Sequence, residues 1–104
     1  MLYHLEFTVG YGADMSQQDL FRIWADEAKV ALGAKESGAV VDLWKVAGER
    51  RVIAILDLPG PDVLDQISLD LPIMREMGQH VSIKVSALRR YEDFAADVAS
   101  RLKS

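Results

Sequence analysis

The sequence predicts an α+β domain of the ferredoxin-like type: β-α-β-β-α-β with an antiparallel sheet, plus one extra helix at the C-terminus. Three observations predict it. Four strand-like runs lie at 2–9, 39–46, 51–58 and 81–87, and the first and last alternate apolar with polar residues, the period of a half-buried strand. A long stretch of helical period joins the first run to the second. A shorter helical stretch joins the third run to the fourth, which completes the ferredoxin-like order.

The elements follow in turn. Tyr3, Leu5, Phe7 and Val9 alternate with His4, Glu6 and Thr8, so the first strand buries one face. Gly10, Gly12 and Asp14 make a loop. Ser16 then caps a helix, with Asp19 three positions on as a capping-box partner and Met15 and Leu20 placed as a hydrophobic staple. That helix runs to about Glu36 in spite of Gly33, and Gly38 suits a left-handed exit.

Ala39–Val46 and Arg51–Leu58 are the second and third strands, joined by a hairpin at Ala47-Gly48-Glu49-Arg50. Pro61 opens a short helix as its first residue. Val63, Leu64 and Ile67 form its apolar side, and Leu71-Pro72 ends it. Val81, Ile83, Val85 and Ala87 alternate as the fourth strand. A polar helix from about Tyr91 to Leu102 carries Phe94, Val98 and Leu102 at four-residue spacing, a stripe expected to dock on a neighbouring subunit or cover a sheet edge. Helices cover one face of such a sheet, and the usual answer for the other face is another copy of the chain, so a homo-oligomer is expected.

Composition narrows the function. The 104 residues are read as a single domain over 1–104, with one modest core. Half the residues are hydrophobic, which separates the chain from disordered sequences. A net charge of −4 and scattered basic residues argue against nucleic-acid binding. The absence of Cys excludes disulfides and thiolate chemistry. No apolar run reaches membrane-span length, and the N-terminus reads as a strand rather than a signal segment, so a cytoplasmic protein with no membrane partner is expected. With two His and no clustered carboxylates, no metal site is expected.

Glu27 is the most informative residue. The first helix has an apolar stripe of Leu20, Ile23, Trp24, Val30 and Ala31, and Glu27 lies seven positions after Leu20, in nearly the same direction. A carboxylate among such residues loses hydration and its pKa rises, which suits a proton-transfer base. The plainer reading stays open: the side chain sits at the stripe's edge and reaches water or an arginine.

Several residues together resemble the muconolactone Δ-isomerase family. They are Met1-Leu2-Tyr3-His4, Asp14-Met15, Glu27, Gly38, and above all Leu43-Trp44-Lys45-Val46-Ala47-Gly48, followed by Asp57-Leu58-Pro59, Leu64 and Leu71-Pro72 at matching spacing. The likeness runs from residue 1 to about Met77. It implies a ferredoxin-like protein that assembles into rings of dimers, needs no metal or organic cofactor, and moves a proton across an unsaturated lactone. Glu27 matches that family's helix glutamate, the candidate base.

The departures are as informative. Trp24 stands where the family tends to carry Lys. Arg50-Arg51-Val52-Ile53 replaces a polar-aromatic run with Tyr and Asn, and Ile73-Met74-Arg75-Glu76-Met77 replaces an aromatic run containing Pro. The fourth strand starts late, through Gly78-Gln79-His80, and Leu88-Arg89-Arg90-Tyr91 leads into the extra helix. Scaffold and base persist while the lining changes, which points to a substrate other than muconolactone.

The remaining candidates each carry two readings. Trp24 and Trp44 are core residues or pocket walls over a planar ligand. Arg51 and Arg75 are carboxylate clamps or surface arginines. Met74 and Met77 line an adaptable apolar pocket or fill space. His4 faces away from the helices, at a surface or interface, and His80 lies in a loop. Gly10-Tyr11-Gly12 lacks the further glycine a phosphate loop needs, and Ser16 has no base to make it a nucleophile. The expected function is a cofactor-independent isomerase acting on a small unsaturated lactone or related carbonyl compound of aromatic catabolism. The alternatives are a related proton-transfer or elimination enzyme, and a non-catalytic ligand-binding or assembly subunit.

Overall fold

Strand β1 (Leu2–Val9) lies between two antiparallel partners, and that central place is why its inward residues are the best buried of any strand. Residues 1–10 and 12–102 are described by the computed structural model; the expectation involving Tyr11 lies outside them. After β1 come α1 (Gln17–Ser37), β2 (Val40–Lys45), β3 (Arg51–Asp57), α2 (Pro61–Asp70), α3 (Pro72–Met77), β4 (Val81–Leu88) and α4 (Tyr91–Ser100). The sheet order is β2-β3-β1-β4 with every pairing antiparallel, as the ferredoxin-like order requires.

Register sorts the side chains. Tyr3, Leu5, Phe7 and Val9 are buried on the helix side together with Ala54 and Leu56 of β3. Glu6 and Ile53 pair on the opposite face. In β2 the register shifts between Val40 and Asp42, a bulge that gives Val41 no partner. Val40 and Leu43 thereby both pack on the helix side, while Asp42 and Trp44 share the other face.

Local sequence fixes the ends of α1. The Ser16 hydroxyl accepts from the Asp19 backbone N–H at 3.0 Å, and the Asp19 carboxylate accepts from the Ser16 N–H at 3.0 Å. Hydrogen bonding of the Asp19 carboxylate to the Ser16 backbone N–H, and then to the Ser16 side chain, holds its carboxyl below its ordinary pKa. Gly38 ends the helix at φ 91°, a left-handed conformation that side chains with a Cβ resist.

One element was not expected. Leu71-Pro72 reads as a stop, yet Pro72 begins α3 as its first residue, where a missing N–H costs no hydrogen bond. Ile73 and Met77 of α3 are the most completely buried side chains, so this short helix plugs the core. A 3₁₀ turn over Gly78–His80 then leads into β4, and the His80 carbonyl accepts from the Gly10 N–H.

Helix α1 packs on α3 and β2, and α2 packs on α3. α4 has no comparably packed neighbour among the described residues. It projects, giving a molecule of 65 × 26 × 22 Å with a radius of gyration of 16.9 Å, against about 13 Å for a compact chain of this length. The helix ends at Ser100, short of the expected Leu102, and its stripe does not cover a sheet edge: Tyr91, Phe94 and Val98, with Leu102 just beyond, are all exposed. No helix among the described residues is long and apolar enough to cross a membrane.

Candidate active site

The helices leave a gap over the sheet. α1 leans on β2 and α3, and a cavity of about 450 Å³ remains between its inner face and strands β1 and β3. Leu5, Phe7, Ala54 and Leu56 form the sheet-side wall, and Leu64 and Ile73 close it from α2 and α3. Exposed Val30 and Leu32 of α1, Ile67 of α2 and Trp44 of β2 form a rim open to solvent. Val30, expected on the buried stripe, is therefore a rim residue. The volume falls within the range of about 300–1,000 Å³ common for small-molecule sites.

Glu27 faces this cavity from the middle of α1. Only 8% of its surface is exposed, and it is the one charged residue buried in the described structure. Its Oε2 atom has no hydrogen-bond partner among the described residues. Burial raises its pKa from the ordinary 4.5 to about 7, because an ionised carboxylate here loses water and gains no cation in return. Near neutral pH both protonation states are populated, so the group can accept a proton and give one back.

The other sequence-derived candidates divide. Trp24, one turn before Glu27, lines the cavity and is partly buried. Trp44 borders it from the edge strand, although its pairing with Ile53 puts it on the face away from the helices. Arg51 is not brought to the cavity. Opposite Thr8 on the outer face of the sheet, it pairs with Glu6 at 3.6 Å and Glu49 at 3.3 Å. Arg75 also stands outside, exposed on α3 and paired with Asp70 at 3.3 Å. Met74 packs partly buried against the core beside Gly78 rather than in the lining. Two physical reasons account for the three. Strand alternation turns Arg51 to the far face, and the unexpected turn of α3 buries Ile73 and Met77 while directing Met74 and Arg75 elsewhere.

Two polar lining residues escaped the sequence reading. Lys45 lines the cavity as an exposed residue at the end of β2, and among the described residues it makes no ion pair. Its place two residues after Leu43 on the helix side was the available signal. Ser68 of α2 also lines the cavity, but its hydroxyl donates to the Leu64 carbonyl at 2.9 Å. Among the described residues, no three His, Asp or Glu side chains gather in a way that could hold a metal ion.

The geometry can be set beside known proteins. The family model for muconolactone delta-isomerase matches residues 1–93. The chain belongs to the muconolactone delta-isomerase family. Muconolactone Delta-isomerase 2 of Acinetobacter lwoffii is 29% identical over 91 residues, covering 88% of this chain and 91% of that protein. Muconolactone Delta-isomerase of Pseudomonas aeruginosa is likewise 29% identical over 91 residues, with the same coverage. A crystal structure of muconolactone isomerase at 3.3 Å resolution superposes with a TM-score of 0.73 and 28% identity, over 86% of this chain and 90% of that one. Most of α4 lies beyond the residues that the family model matches.

Proposed function

We propose that the protein is a cofactor-independent isomerase that shifts a double bond by proton transfer in a small unsaturated lactone or related carbonyl compound of aromatic catabolism, with Glu27 as the base. The observation that carries this reading is a buried, unpartnered carboxylate facing an open apolar cavity in a muconolactone delta-isomerase scaffold. The ionised carboxylate removes an acidic proton from a carbon activated by the substrate carbonyl. The resulting glutamic acid returns that proton at the other allylic end, so one group serves both steps. Trp24 packs against a planar ring held on the sheet, with Trp44 at the rim of the same cavity.

The reading extends to the whole chain. It acts as one domain in a homo-oligomer, supported by the exposed stripe of α4, and a chain without Cys suits the cytoplasm.

Glu27→Gln tests the assignment on a substrate confirmed with the parent protein. A neutral amide that cannot ionise should lower kcat by about 10²–10⁴-fold. In the parent, kcat/KM should rise through about pH 7 and level off above it, because the unprotonated carboxylate is the reactive form. Unchanged turnover in the variant would remove Glu27 from the chemistry.

A further inference from the structure

We infer that this cavity selects a neutral, apolar-bodied unsaturated lactone or enone with no free carboxylate near its reacting carbons. The inference rests on the reading of Glu27 as proton carrier and deepens it to a substrate class.

Among the described residues, the lining holds one acid, one serine and one lysine, and the remaining side chains are apolar or tryptophan. Ser68 already spends its hydroxyl on the Leu64 carbonyl. The arginines suited by residue type to clamp a carboxylate are committed elsewhere: Arg51 to Glu6 and Glu49 on the far face of the sheet, Arg75 to Asp70 in solvent. A substrate carboxylate drawn in beside Glu27 would therefore leave water without gaining a partner, which is costly in an apolar setting. It would also approach a second carboxyl group with no cation between them, where low polarity strengthens like-charge repulsion.

Lys45 does not reverse this. It is exposed at the last residue of β2, and among the described residues no ion pair joins it to Glu27. An ion pair formed at such a solvated rim contributes little binding. A charged group could stay in water near Lys45, but only on a substituent that reaches out of the chamber. The cavity volume of about 450 Å³ and its apolar walls suit a body that benefits from burial rather than one that needs hydration.

The test compares muconolactone with its methyl ester, which differ in charge at one arm. Binding is read from quenching of Trp24 and Trp44 fluorescence, the two tryptophans of the chain, both bordering the cavity. Turnover is followed by NMR in parallel. The ester is expected to bind at least tenfold more tightly than the acid, and Lys45→Gln should leave that ratio within twofold. Equal binding, tighter binding of the acid, or no binding of either at millimolar concentration overturns the inference. An acid preference abolished by Lys45→Gln would place the substrate anion on that lysine instead. Ester-selective binding with turnover that survives Glu27→Gln sustains the selectivity while removing the assignment of the base, so the two failures are distinguishable.

Discussion

At the scale of single residues, Glu27 costs the fold something near neutral pH, and the cost can be read from its titration. A carboxyl that ionises near pH 4.5 when unfolded and near 7 when folded binds its proton more tightly in the native state. Stability from this group is thus greatest below pH 4.5, falls as pH rises from there to 7, and levels off beyond. The shift corresponds to about 3 kcal/mol at most. Glu27→Gln should therefore stabilise the protein by roughly 2 kcal/mol at pH 8 and change little at pH 4. Urea denaturation at the two pH values checks this, and equal effects at both would mean the carboxylate is not desolvated in the native state. The position was legible because the helical period carries direction: seven residues after Leu20, a side chain must point with the core. The places of Arg51 and Arg75 were not legible as functional sites, since a charged residue near a cleft in sequence gains its meaning from the partner it finds, and Glu49, Glu6 and Asp70 were nearer.

Elements begin and end where short-range chemistry dictates, which is why most boundaries could be read in advance. The capping pair Ser16 and Asp19 opens α1, and Gly38 closes it. The two glycines of this region should respond in opposite directions. Gly33 lies inside α1 with open space where a Cβ would go, so Gly33→Ala should stabilise by roughly 0.5–1 kcal/mol. Gly38→Ala should destabilise by about 1–2 kcal/mol, because its φ of 91° is strained for any residue with a Cβ. Denaturation midpoints of the two variants decide the matter, and a matching sign would contradict the left-handed cap. α3 was illegible for an instructive reason: Leu71-Pro72 breaks one helix and starts the next, and a proline looks alike in both roles. The bulge at Val41 was hidden too, because register depends on the facing strand.

For the whole molecule, the fold class followed from element order, whereas the projection of α4 did not. Periodicity shows that a face is apolar, not what meets it. Tyr91, Phe94, Val98 and Leu102 remain exposed on a single chain, and a ten-residue helix is marginal in water on its own. If the stripe docks on a second copy, the triple change Phe94→Ala, Val98→Ala and Leu102→Ala should shift sedimentation towards smaller species. Unfolding of the isolated body should stay within about 0.5 kcal/mol, as expected for exposed positions. An unchanged sedimentation profile would separate α4 from assembly.

The gap between α1 and the sheet carries one more consequence. A chain of 104 residues has little core to spare, and here part of its interior is left unfilled. A molecule seated there acts as a missing piece of that interior, adding contacts that the unfolded chain cannot make. Present at 100 times its dissociation constant, such a guest adds about 2.7 kcal/mol to the native state. A rise in melting temperature would therefore register any compound that seats in this cavity, before any product is seen.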